Sequence, residues 1–230
     1  MSKLYETDGY FFSKGAQHPE KLLVIFTTMY NNFQISNVVL YALLKEFGVS
    51  VLMLKDCSYF NFLNGVTGLG TDINAVVNGI SALASENNIS ELYLTGFSSG
   101  GYSSLYASLL LPCSGYLGFS VMTDLSKGSS LFPGKFFTDD VRKQIDERHL
   151  INLRVLADAT NDRVSRELFF GADIESEGAH ALNMAGLSNL KTTKVEDCRH
   201  QTVKTLIENG AFSDCLRDLL FQTKNKVRDL

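Results

Sequence analysis

Residues 96–100 read Gly96-Phe97-Ser98-Ser99-Gly100, a Gly-x-Ser-x-Gly pentapeptide at the end of the apolar run Leu92-Tyr93-Leu94-Thr95. A serine in this setting can act as a nucleophile. A sharp strand-to-helix turn would lift its hydroxyl out of a sheet, and glycines are needed where a Cβ would strike neighbouring backbone. The pentapeptide alone is a weak signal, since a Ser/Gly-rich turn has the same letters. Its flanks decide. Glu91 to Thr95 has strand length and composition, and Tyr102, Leu105, Tyr106, Leu109 and Leu110 recur at helical spacing. Ser98 is therefore read as a nucleophile.

A serine hydroxyl attacks only when a base takes its proton and a carboxylate holds that base in the useful tautomer. Among the four histidines, His200 follows the last predicted strand directly and precedes a helix, so a loop can carry it over Ser98. His180 ranks second because it lies within a predicted helix; His18 and His149 read as solvent-facing. For the acid, the loop after a predicted strand Leu153–Ala157 offers Asp158 and Asp162. Asp162 is preferred, because Asp158 sits where turn and cap hydrogen bonds compete for it. Asp56, after Val51–Leu54, is third. Surface exposure or helix capping is the alternative role for each. Charge developing on a substrate oxygen needs donors, and these are assigned to the backbone N–H groups of Ser99 and of the Thr28-Met29 loop, with the Thr28 hydroxyl as a substitute.

These residues need a scaffold that brings distant loops together. Tyr10-Phe11-Phe12, Leu22–Phe26, Val51–Leu54, Glu91–Thr95, Tyr116–Val121, Leu153–Ala157 and Leu190–Val195 are predicted strands. Leu22-Leu23-Val24-Ile25-Phe26 is apolar without alternation, as expected of a strand covered on both faces. Helical periodicity marks Val39–Phe47, Ile73–Ala84, the segment after Ser98, a stretch from near Arg163, Ala179–Leu187 and the closing residues 203–220. Strands alternating with helices predict an α/β domain with a mainly parallel sheet and helices on both faces. No repeat or linker divides residues 1–230. Residues 122–149 are the least regular and are read as a small lid or insert, with Leu131–Phe137 its apolar part.

The 230 residues, 45% hydrophobic and 20% charged, suffice for one substantial core. A net charge of −4 without a basic stripe argues against nucleic acid as a partner. No apolar run reaches the length of a membrane span, and the first residues lack a secretory h-region, so a cytoplasmic location is expected. Cys57, Cys113, Cys198 and Cys215 are scattered, which argues against a zinc site or a disulfide framework.

Taken together, Gly96-Phe97-Ser98-Ser99-Gly100, Asp162-Arg163-Val164 and His200 resemble an α/β-hydrolase over nearly the whole chain. The resemblance implies the α/β-hydrolase fold with about eight mostly parallel strands, no cofactor, and acyl transfer through a serine ester. Thr27-Thr28 departs from the His-Gly that many members carry before the oxyanion donor. The expected activity is cleavage of a small-molecule or carbohydrate ester or thioester, as a carboxylesterase or deacylase. An O-acyltransferase using an acyl-CoA donor and a carbohydrate hydroxyl is the second reading, and a non-catalytic binding protein the third.

Overall fold

The computed structural model describes residues 9–56, 58–131, 138–160 and 162–221. Seven strands, β1 (Tyr10–Ser13), β2 (His18–Phe26), β3 (Val49–Leu54), β4 (Glu91–Phe97), β5 (Gly115–Phe119), β6 (Arg166–Gly171) and β7 (Leu190–Val195), form one sheet in the order β1-β3-β2-β4-β5-β6-β7. Only β1 pairs antiparallel. The eighth strand implied by the family resemblance is absent among the described residues.

Along β2 the side chains divide strictly by parity. Leu22, Val24 and Phe26 pack with helices α2 (Ile73–Glu86), α3 (Ser99–Leu110), α5 (Leu153–Ala159) and α6 (Glu175–Met184). Leu23 and Ile25 pack with α1 (Asn37–Lys45), α7 (Thr202–Glu208) and α8 (Ala211–Phe221). The uninterrupted apolar run therefore has a physical cause: both faces of the strand are covered. Side-chain caps start two of these helices, with Ser36 accepting from Val39 N–H and Asp72 from Ala75 N–H.

The region between β5 and β6 differs from the sequence reading. Residues 153–157 belong to a helix, not a strand. Asn152 caps it by accepting from Arg154 N–H, Leu153 and Ala157 are buried four residues apart, and Val155 faces outward. Arg154 pairs with Asp158 across one turn at 2.9 Å. A short apolar run is ambiguous by periodicity, and the cap with the i,i+4 pair settles it as helical. Conversely, the stretch after Arg163 read as a helix contains β6. Its apolar core is only Leu168-Phe169-Phe170, preceded by Arg166 and Glu167, and lateral pairing with β5 and β7 makes it a strand. The short helix α4 (Asp139–Arg142) and a 3-10 turn at Glu147–His149 lie in the insert. Of the apolar segment assigned to a lid, Phe132–Phe137 lie outside the described residues. His149 is not solvent-facing: it is 2% exposed, packed against Tyr106.

Two glycines allow α3 to start directly against the sheet. A Cβ on Gly96 would collide with the Ser104 hydroxyl, and one on Gly100 with the carbonyl oxygens of Phe26 and Thr27. Because the Gly100 neighbours are backbone, they cannot swing aside. Gly100→Ala is expected to lower the melting temperature by about 5 °C, the equivalent of about 2 kcal/mol of overpacking. Gly178→Ala in α6, where a Cβ meets nothing within 4 Å, should leave it level or raise it slightly.

Candidate active site

Ser98 occupies the turn between β4 and α3 with φ 53° and ψ −115°, a backbone conformation that non-glycine residues rarely adopt. The turn is tied on both sides: Ser98 N–H donates to Phe119 O at 2.9 Å, and Gly101 N–H donates to Ser98 O at 2.9 Å. The hydroxyl thereby projects from the carboxyl end of the sheet.

His200 reaches the same point from the loop after β7. Its Nε2 lies 2.8 Å from Ser98 Oγ, and its ring packs against Phe97. The loop approaches so closely that a Cβ on Gly171, at the end of β6, would strike the carbonyls of Cys198 and Arg199. Gln34, from the loop after β2, holds it from the other side by donating to His200 O at 2.7 Å and accepting from Lys204 N–H at 2.9 Å.

The carboxylate at His200 is Glu177. Its Oε1 lies 2.7 Å from His200 Nδ1, while Oε2 accepts from Gly171 N–H at 2.5 Å and from the Ser120 hydroxyl at 3.1 Å. Glu177 is 5% exposed, and a buried carboxylate is tolerable only with its lone pairs occupied in this way. It lies in the first turn of α6, where the helix dipole favours negative charge.

Asp162, the acid expected from the sequence, is engaged elsewhere. It forms a bidentate pair with Arg166 at 2.9 and 2.7 Å, and Arg166, 1% exposed, also donates to Ser108. Asp162 is thus the counter-ion of a buried arginine. Asp158 pairs with Arg154, and buried Asp56 accepts from Ser58 and from Phe62 N–H, organising the loop after β3. The carboxylate at His200 does lie beyond the penultimate strand, but that strand is β6 and not residues 153–157. Once β6 is recognised, Gly171-Ala172-Asp173-Ile174-Glu175-Ser176-Glu177 becomes the segment to search.

His180 is a structural histidine: Nδ1 accepts from Thr123 N–H at 3.2 Å and lies 3.0 Å from the Thr123 hydroxyl. His18, near Glu20, lies at the beginning of β2, away from the sheet's carboxyl edge. Thr28 spends its N–H on Asn32 O and its hydroxyl on Asn32 Oδ1, so neither donor points into the site. Met29 N–H does reach it, ending on Ser99 Oγ at 2.8 Å. Ser99 N–H belongs to the first turn of α3, whose leading N–H groups lack helical partners.

Neither a protein-family profile nor a curated protein sequence matches the chain. Solved structures do. MenH from S. aureus superposes with a TM-score of 0.65 at 13% identity, covering 93% of this chain and 98% of that one. A lipase-esterase related protein from Clostridium acetobutylicum gives 0.62 at 12%, covering 93% and 100%. Est1E from Butyrivibrio proteoclasticus, solved with ferulic acid, gives 0.60 at 14%, covering 90% and 94%.

The chain has the α/β-hydrolase fold. Within this α/β-hydrolase sheet, Ser98 follows β4, Glu177 follows β6 and His200 follows β7. No group of histidine, cysteine and carboxylate side chains with metal-binding geometry occurs among the described residues, and no described helix is long and apolar enough to cross a membrane.

The polar groups that lie apart from the serine give a stability prediction. Arg166 hydrogen bonds hold the Asp162 carboxyl below its ordinary range, and burial holds the His180 imidazole below its own. In both cases the unfolded chain takes up a proton before the native state does. Stability is therefore full above the unfolded values and lost as pH falls, from about 6.5 downward for His180 and from about 3.9 downward for Asp162. Urea melts at stepped pH should show this slope. Asp162→Ala, which strands a buried guanidinium, should cost about 3 kcal/mol in the same melts at neutral pH.

Proposed function

We propose that this protein is a serine hydrolase that cleaves an ester or thioester through Ser98, His200 and Glu177. The observation carrying this reading is the unbroken chain Ser98 Oγ, His200 Nε2, His200 Nδ1, Glu177 Oε1, with contacts of 2.8 and 2.7 Å. Three side chains, from the turn after β4, the first turn of α6 and the loop after β7, meet in the order that nucleophile activation requires.

In the reaction, Ser98 Oγ bonds to the carbonyl carbon as its proton passes to His200 Nε2, and the carbonyl π pair moves onto oxygen. Glu177 fixes the tautomer with Nε2 free to accept and stabilises the imidazolium that results. Collapse of the tetrahedral adduct expels the alcohol or thiol, which takes the proton from Nε2. Water then repeats the sequence on the acyl-serine, releasing the acid. The His200 side chain is about half exposed, so water has access to the ester intermediate. That exposure favours hydrolysis over the second reading, transfer to a carbohydrate hydroxyl, which requires water to be kept out.

Short-chain nitrophenyl esters and a fluorophosphonate probe test the proposal. Wild type should turn over the esters and be labelled. Ser98→Ala should not be labelled, and His200→Ala should lose several orders of magnitude in kcat. Glu177→Gln should lose about 10³-fold or more, while Asp162→Ala, where folded, stays within a few-fold of wild type. A folded wild-type protein that resists the probe and all ester, thioester and acyl-CoA substrates would instead favour a binding role. Acyl-CoA consumption dependent on an added carbohydrate would favour the transferase.

A further inference from the structure

The helix that begins behind Ser98 carries several serines, and the others spend their hydroxyl protons on backbone. Ser103 donates to Asn61 O, Ser104 to Gly101 O at 3.0 Å, and Ser108 to Leu105 O at 2.8 Å. Ser99 does not. Its Oγ accepts the Met29 N–H at 2.8 Å, and among the described residues no acceptor faces its proton. The residue is 6% exposed, so solvent offers little compensation. A hydroxyl carries one proton and two lone pairs, and a buried donor left without a partner is costly. Here the unspent donor adjoins the nucleophile, on the side where the loop after β2 meets the first turn of α3.

We infer that the Ser99 hydroxyl donates to the oxyanion of the tetrahedral adduct, alongside the Ser99 N–H, with Met29 N–H acting from behind. This rests on the hydrolase reading above and revises the part given to Met29. The Met29 N–H does not meet the substrate oxygen; it occupies an Oγ lone pair, restricts how the hydroxyl can turn and polarises the O–H so that it donates more strongly. Negative charge appears on the carbonyl oxygen only as the Ser98 Oγ–carbon bond forms, so the contact strengthens in the transition state and raises kcat rather than lowering KM. No proton leaves Ser99. The Thr27-Thr28 sequence is compatible with this arrangement, because Thr28 is tied into its own turn and the side-chain donor comes from α3 instead.

The test measures nitrophenyl ester hydrolysis and the rate of fluorophosphonate labelling for wild type, Ser99→Ala and Ser99→Thr, with thermal melts of all three. Ser99→Ala is expected to lose about 10²-fold in kcat and in labelling rate, with KM little changed. Ser99→Thr, which keeps a hydroxyl, should recover at least a tenth of the wild-type rate. Ser99→Ala at wild-type rate, or faster because Met29 N–H is released to the substrate, overturns the inference, as does Ser99→Thr folded but as slow as Ser99→Ala. If wild type itself neither hydrolyses esters nor reacts with the probe, it is the hydrolase reading that fails.

Discussion

The backbone of Ser98 is the constraint on which the site depends. A residue with a side chain held at φ 53° and ψ −115° stores on the order of 1–3 kcal/mol, and persists only where its surroundings leave no relaxed alternative. Those surroundings are the parallel strands on either side of β4. β5 supplies the Phe119 carbonyl that takes Ser98 N–H, and the end of β2 leaves space for α3 only because Gly100 has no side chain. The sheet therefore determines where the hydroxyl points before any partner arrives.

The partners are delivered by strand ends that the sheet has already aligned. Phe97, Phe119 and Phe169 stand in register across β4, β5 and β6, and Gly171 pairs with Val195 on β7. Residues just beyond these positions emerge at one edge: Ser98, Ser120, the segment leading to Glu177, and the loop bearing His200. Glu177 joins them most tightly, because one carboxylate binds the imidazole, a β6 amide and the Ser120 hydroxyl together. Ser120 Oγ also lies 3.0 Å from Thr202 Oγ1, linking the same carboxylate to the start of α7.

Behind Glu177, one turn along α6, a polar network locks the helix against the insert. Thr123 engages His180, Asn183 donates to Thr123 Oγ1 at 2.9 Å and to Asn152 Oδ1 at 3.1 Å, and Asn152 donates to Asp124 at 3.0 Å. These groups are buried or half-buried, and their mutual bonding offsets the desolvation that would otherwise penalise them. The irregular segment after β5 thus has a mechanical role in holding the helix that bears Glu177, even though it contributes no side chain to the Ser98, His200 and Glu177 chain.

That Ser98 stands in a turn with a helix directly behind it, that His200 follows the last strand, and the α/β layering were all legible in the order of residues. Each rests on local chemistry: a glycine-bracketed serine, apolar positions at period 3.6, and runs such as Leu22–Phe26 that must be covered on both faces. The carboxylate that meets His200 was not legible. Leu153–Ala157 and Arg166–Gly171 are short, mixed runs whose states are set by an asparagine cap in one case and by lateral hydrogen bonding to two neighbouring strands in the other. A carboxylate's role depends on which cation or imidazole it meets, and that is a matter of distance in the folded chain: Asp162 met a buried arginine, whereas Glu177 met His200.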